Sequence, residues 1–371
     1  MDEERVYECI QEELTNMPDF VAEFVKVKTV GQYSPLTIYE YLKNYRPFFE
    51  YLVENKLVAE SETAQISIES MRKLTVLELN DYKAFLQTRK PLRSPATERK
   101  IDTNEPVKRK AKKSKLSSVT VQRAITALKV LFKFLTESSA NKLHKPYLDH
   151  NPMNEVKGVA VKMTLQARAD KISDYLFLGE QTQEYLDFIE TVYPTKISAQ
   201  ARKFYDRDKE RDLAINALIL YSGLRLSEVV NIDLEDLSFE KNRVRVVRKG
   251  AKDDAVYIGA KAMEYLAEYI KIRESRYKPD SEETAFFLSR SGKQAKRMTG
   301  SAIEKMVGKY SEVFKIRISP HKMRHTMATR LYLNTLDLTL TAKQLGHKDT
   351  STTTLYTSIA NDDTKDALNN L

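Results

Sequence analysis

The chain contains five histidines, and three of them (His321, His325 and His347) fall in a short stretch near the C-terminal end. His321 and His325 stand four residues apart, the spacing at which two imidazoles on one helix can hold zinc. The glutamate of that pattern is missing here. Lys322, Met323 and Arg324 fill the interval, and their cations would repel a metal. An anion is a better guest. His321 and Arg324, three residues apart, share a face of any helix that carries them. Arg225 follows Gly223, a helix stop, and precedes a helix start at Ser227 and Glu228. A guanidinium presents a rigid fork of donors that matches phosphate oxygens, which lysine does not reproduce. Lone arginines are usually surface residues, so local spacing reaches as far as a phosphate site and no further.

The elements that must position these groups can be read from periodicity. Residues 211–221 are expected to be helical and to stop at Gly223. Residues 243–248 alternate, with Val244 and Val246 on one side. Residues 255–258 make a partner strand, joined through a turn over 249–254 that holds both Lys249 and Lys252. From Lys261 onward the pattern is mostly helical. Earlier in the chain, Ser34 and Pro35 read as an N-cap and first turn, followed by Ile38, Leu42, Tyr45, Phe49 and Leu52 on one face. Residues 74–88 supply another helix. A third follows Ser117, with Val121, Ala124, Ile125, Leu128, Leu131 and Leu135 on its apolar side and Arg123, Lys129 and Lys133 on the other.

Between the last two helices, residues 89–115 carry eleven Lys or Arg, among them Lys108, Arg109, Lys110, Lys112, Lys113 and Lys115, against Glu98, Asp102 and Glu105. Such runs are usually solvated surface. Next to the basic helix face of Arg123 and Lys129, a phosphate-gripping arm is the better expectation. Periodicity weakens from about 142 to 174, where Pro146, Asn151, Pro152 and Gly158 break any long helix. The expected division is a helical domain over 1–145 with its basic insertion at 89–115, a linker over 146–174, and a second domain over 175–371 ending in a tail at 362–371.

Bulk properties agree with that division. A length of 371 residues exceeds one ordinary core, and 42% apolar with 30% charged residues is a globular composition. Lys and Arg outnumber Asp and Glu by 61 to 52, a net charge of +9 that favours a polyanion as partner, though weakly on its own. Cys9 is the single cysteine, which excludes an intrachain disulfide and a thiolate metal cluster. The N-terminal residues lack the basic and apolar regions of a secretory signal, and no run of about 18 apolar residues is present, so a cytoplasmic location is expected.

The separate signals converge on one resemblance. The run 221–228, Tyr-Ser-Gly-Leu-Arg-Leu-Ser-Glu, resembles the first signature of the tyrosine recombinase (phage integrase) family. Residues 321–325, His-Lys-Met-Arg-His, resemble its second, H-x-L-R-H, with Met323 in place of leucine. Leu345, Gly346 and His347, followed nine residues later by Tyr356, resemble the third, and Lys249 stands where the family keeps its hairpin lysine. One such match among twenty tyrosines would mean little, but the full set in the right order is specific. Segments 209–215, 304–307 and 320–326 are similar to the Xer branch, particularly the stand-alone Xer recombinases of Gram-positive bacteria. The basic insertion is less typical of that branch.

The resemblance implies a mainly α fold with a small β-sheet: a helical, SAM-like core-binding domain and an α+β catalytic domain, closing as a C-shaped clamp on DNA. It implies that Tyr356 attacks a phosphodiester to leave a 3′-phosphotyrosyl bond, with Arg225 and Arg324 on the non-bridging oxygens. Lys249 would protonate the leaving 5′-oxygen, with Lys252 its competitor in the same turn. His347 would hydrogen-bond the phosphate, His321 would serve as acid/base partner of Tyr356, and His325 would support from behind. No metal or other cofactor is required, because the arginines supply the positive charge. Two protomers would grip each double-stranded site, and two sites would form a tetramer, with residues 362–371 docking on a neighbour and an accessory regulator possible.

Other functions share parts of the pattern. A type IB topoisomerase uses similar chemistry without site specificity, but the small first domain and Xer-like segments argue against it. A catalytically silent DNA-binding regulator would not need six intact catalytic positions. A mobile-element integrase of the lambda type carries an arm-binding domain, for which the roughly 20 to 30 residues before the first strong helix are too few. Xer-like chromosome dimer resolution is the expected role.

Overall fold

In the computed structural model of the chain the described residues are 3–90, 115–138, 145–159, 164–248, 252–291, 294–347 and 354–360. They form two compact units that part between residues 159 and 164. The first is built from α1 (Glu3–Leu14), α2 (Asp19–Val30), α3 (Pro35–Glu54), α4 (Ile68–Arg72), α5 (Val76–Thr88) and α6 (Ser118–Lys133). α3, α4, α5 and α6 begin where side chains satisfy free backbone N–H groups. Ser34 Oγ accepts from the Thr37 N–H at 3.3 Å and Ser117 Oγ from the Thr120 N–H at 3.1 Å. Thr75 and Glu78 form a reciprocal capping box, in which the Thr75 N–H donates to Glu78 at 2.7 Å.

The apolar faces of α3, α5 and α6 meet in one core, with Leu42, Phe48, Leu79, Ile125 and Leu128 at 1% exposure or less. Burying a side chain of that size contributes about 1.5–3 kcal/mol. Arg123 stays exposed and Lys129 half-buried on α6, and Lys115 is exposed just before it. Lys108, Arg109, Lys110, Lys112 and Lys113 lie outside the described residues.

Two segments depart from the sequence-based expectation. The residues before Ser34 form α1 and α2, which lend Val6, Ile10, Phe20, Val21 and Phe24 to this same core. In α1, five Glu among twelve residues hide a narrow apolar stripe. The stretch expected as a linker is also packed. Leu148, Met153 and Val156 are buried in the first core, whereas α7 (Leu165–Ser173) belongs to the second unit.

The second unit adds α8 (Gln181–Asp187), α9 (Ala199–Ser222), α10 (Leu226–Val230), β1 (Leu237–Ser238), β2 (Arg243–Arg248), β3 (Lys252–Tyr257) and α11 (Ala260–Tyr277). There follow β4 (Leu288–Ser291), β5 (Gln294–Arg297), α12 (Gly300–Phe314), α13 (Pro320–Thr335), α14 (Leu338–Leu345) and α15 (Thr354–Ala360). The α9 helix is central, because all residues from 213 to 220 are buried, the mark of a core helix rather than a surface one. It starts twelve residues before the expected point, its polar first half held by pairs such as Arg202 with Asp206 at 2.8 Å. Buried Asp212 ties it inward, accepting from Arg211 at 2.7 Å and from the Tyr310 hydroxyl of α12 at 2.7 Å.

The sheet is antiparallel, in the order β1-β2-β3, with β4 and β5 forming a separate pair. In β2, Val244, Val246 and Arg248 point to the buried side while Arg245 and Val247 are exposed. β3 reaches back to Lys252, three residues earlier than its apolar pattern, because the backbone ladder continues opposite Val247 and Arg248 whatever the side chains. Lys249 lies outside the described residues. Lys252 pairs through its backbone with Arg248. Among the described residues, no helix is long and apolar enough to cross a membrane.

Candidate active site

Five of the six residues expected to carry chemistry fall within described elements of the second unit, and α9, α10, α13, α14 and α15 bring them together. α9 stops at Gly223, whose φ of 71° is the left-handed conformation that glycine adopts without strain. The Gly223 carbonyl accepts from Arg324 of α13. Two residues on, Arg225 is the N-cap of α10. Its N–H donates to Glu228 Oε2 at 2.8 Å and its guanidinium to Glu228 Oε1 at 2.8 Å.

The C-terminus of α14 is the hub. Its last carbonyls have no intrahelical donors and carry the negative end of the helix dipole, so cations are stabilised there. Arg324 donates to the Leu345 carbonyl at 2.6 Å and Arg225 to the Gly346 carbonyl at 3.3 Å. Gly346, with φ 62°, turns the chain so that the His347 N–H caps the Ala342 carbonyl at 3.0 Å. The His347 ring then stands with Nε2 3.3 Å from Arg324 Nη2. Arg225, Arg324 and His347 thus converge on one point, with the Arg225 side chain still 35% exposed and free to meet an incoming anion.

Tyr356 sits on α15 among Met327, Ala328 and Leu345, 1% exposed. Its hydroxyl lies 2.9 Å from His325 Nδ1. This differs from the expected pairing with His321, which instead packs edge-on against His325 with ring centroids 4.5 Å apart. Both rings share a helix face, but α15 approaches α13 one turn further along, over His325.

The electrostatics follow from burial and crowding of positive charge. Burial pushes the Tyr356 hydroxyl up to about 12, against a smaller opposing pull from Arg324. His325 is pushed down to about 3 and His347 to about 4, first by burial and then by neighbouring imidazoles or arginines. His321 is shifted down in the same way, with Arg324, Lys322 and Arg225 as the nearby cations. These shifts favour the neutral imidazole, which offers one N–H donor and one acceptor nitrogen. Burial and Arg225 lower Arg324 to about 10, which leaves it charged.

Two residues essential to this geometry were not singled out from sequence. Glu228, with a side chain 3% exposed, lies 2.8 Å from Arg225, 3.3 Å from Arg248 and 3.9 Å from Arg324. Arg248 reaches from β2 into the same cluster. A signal for Arg248 existed, since an arginine that continues the buried alternation of Val244 and Val246 must have a buried partner. Among the described residues, no group of three or more His, Cys, Asp or Glu is placed to hold a metal.

The arrangement gathers two arginines at one helix end, three imidazoles and a tyrosine hydroxyl, the kinds of group that a phosphoryl transfer uses. A phage integrase family model matches residues 195–362. The chain belongs to that family and is a tyrosine recombinase. It is 41% identical over 371 residues, covering 100% of both chains, to the tyrosine recombinase XerS of Streptococcus uberis. Solved structures share its fold. The XerH recombinase bound to palindromic difH substrate aligns over 99% of this chain and 88% of its own, with 20% identity and a TM-score of 0.60. A lambda integrase dimer bound to a COC′ core site aligns over 92% and 95%, with 10% identity and a TM-score of 0.52. The mainly α architecture with small sheets expected from sequence is the one observed.

Proposed function

We propose that this chain cuts and rejoins double-stranded DNA at a specific recombination site through a 3′-phosphotyrosyl bond to Tyr356, as an Xer-like resolvase of chromosome dimers in the cytoplasm. The observation that carries the reading is the convergence of Arg225, Arg324 and His347 on the end of α14, beside a tyrosine whose hydroxyl meets a neutral histidine.

In the first step Tyr356 gives its proton to His325 Nδ1 as its oxygen attacks phosphorus. The bond to the 5′-oxygen breaks, and that oxygen takes a proton from Lys249 or Lys252. His321, packed edge-on against the His325 ring, would support that ring from behind. Arg225 and Arg324 neutralise the charge that accumulates on the non-bridging oxygens, and His347 donates a hydrogen bond there. Loss of one such donor typically costs about 10²–10³ in rate, and loss of a general acid about 10²–10⁴. The phosphotyrosyl ester keeps the energy of the phosphodiester, so a 5′-hydroxyl reverses the step without ATP or cofactor. Lys115, Arg123 and Lys129, with the basic residues of 89–115, grip the backbone of the duplex. Two protomers would occupy each site, and two synapsed sites would make a tetramer. Relatives named XerS, similar end to end, favour this role over a mobile-element integrase.

The test is a nicked suicide duplex carrying a candidate recombination site from the source genome, incubated with wild type and with Tyr356→Phe. A covalent adduct on a denaturing gel with wild type alone is expected. Tight binding without any adduct would refute the reading.

A further inference from the structure

Arg248 has no part in the reaction above, yet it is 9% exposed and spends its guanidinium on four acceptors. It donates to Asp254 Oδ2 at 3.0 Å, Glu228 Oε1 at 3.3 Å, the Leu345 carbonyl at 2.8 Å and the Gln344 carbonyl at 3.1 Å. Two of these acceptors are shared. Glu228 Oε1 also holds Arg225, and the Leu345 carbonyl also holds Arg324. Arg248 therefore shares one acceptor with each of the two arginines proposed to hold the phosphate.

Its contact with the chain leading to His347 is equally close. A Cβ on Gly346 would lie 2.5 Å from the Arg248 Cζ and 2.6 Å from its Nε, so the backbone there passes directly over the guanidinium. A larger side chain at 346 would have to push that guanidinium off its acceptors. Only a planar fork serves four acceptors spread over a strand, a helix end and a carboxylate. Lysine keeps the charge but not the directions.

We infer that Arg248 is a positioning residue for DNA cleavage. From β2 it fixes Glu228 and the C-terminus of α14, and through them sets Arg225, Arg324 and His347 at the phosphate. The inference rests on the proposed function. Two plainer roles compete with it: added positive charge, which lysine would preserve, and a brace for the fold, which would be indifferent to the chemistry of the DNA.

Single-turnover cleavage of nicked suicide DNA separates these. The substrate carries either an ordinary scissile phosphate or a neutral methylphosphonate at that position. Wild type, Arg248→Lys and Arg248→Met are compared in full-length protein, with DNA binding measured alongside. Both variants should bind DNA within a few-fold of wild type. They should cleave the ordinary phosphate roughly 10- to 100-fold more slowly, since misplacement by about 1 Å costs on that order. The deficit should shrink several-fold on the methylphosphonate, where less charge needs the arginines. Wild-type rates for Arg248→Lys would reduce Arg248 to a charge, and an equal deficit on both substrates would reduce it to a brace. Either result overturns the inference. An unimpaired Arg248→Met beside an active wild type overturns it alone, whereas an inactive wild type overturns the proposed function and takes this inference with it.

Discussion

Replacing Glu228 with glutamine removes one negative charge and almost no volume from a site shared by Arg225, Arg248 and Arg324. The carboxylate accepts at 2.8 Å from Arg225 and at 3.3 Å from Arg248, and Arg324 lies 3.9 Å away, all around a side chain 3% exposed. A pair at about 4 Å is worth about 4 kcal/mol at the effective dielectric of a protein surface. Breaking a buried pair by removing one partner costs about 3–5 kcal/mol, because the remaining charges stay buried and unpaired. Glutamine still accepts one hydrogen bond through its carbonyl, so the lower half of that range is the expectation. For a unit of this size, at about 2–4 °C per kcal/mol, the melting temperature should fall by roughly 6–16 °C. Differential scanning calorimetry on wild type and Glu228→Gln measures this. Sulfate should restore the variant more than it stabilises wild type, because a dianion can replace the lost charge among the arginines. A drop under about 2 °C, or equal stabilisation of both proteins by sulfate, would refute the account of Glu228 as the counter-ion of the cluster.

Two further predictions concern the same unit. His325 and His347 have folded values of about 3 and about 4, and His321 is also lowered, against an ordinary value of 6.5. Below 6.5 the unfolded chain takes up protons that the folded chain refuses, so stability is complete above 6.5 and declines as pH falls. Between 6.5 and 5, before carboxylates titrate, melting temperature should already decline, and His347→Gln should flatten that decline; parallel curves would count against it. Gly223→Ala places a Cβ 1.9 Å from Met327 Cε in a backbone with φ 71°. The Met327 methyl ends a flexible side chain and can swing aside, so the left-handed conformation sets the cost and urea unfolding should show a loss of roughly 1–2 kcal/mol. A loss well below about 1 kcal/mol would mean that the backbone at 223 leaves the left-handed region more easily than the fold suggests.

Much of the fold was legible because the signals are local. Ser34, Thr75 and Ser117 cap helices through bonds that reach only three residues. The buried face of α6 is the one its periodicity defines. What failed did so for physical reasons. α1 carries too many charges for its apolar stripe to stand out, and α7 is a short polar helix that packs against α15 rather than forming a core of its own. β3 extends beyond its apolar alternation because ladder hydrogen bonds do not depend on side chains.

The sequence by itself determined the family, because motif order and residue type survive without coordinates, and it singled out Arg225, Arg324, His347 and Tyr356 as candidates. It also determined Gly223 as a helix stop, a consequence of its missing Cβ. Only the tertiary structure decided which histidine meets Tyr356, since His321 and His325 share one helix face and the position of α15 selects between them. Only it revealed that Glu228 and Arg248 gather around the end of α14, with Arg248 bonded to a carbonyl 97 positions away. That joining depends on where a helix dipole and its unpaired carbonyls come to rest, and no local spacing encodes that.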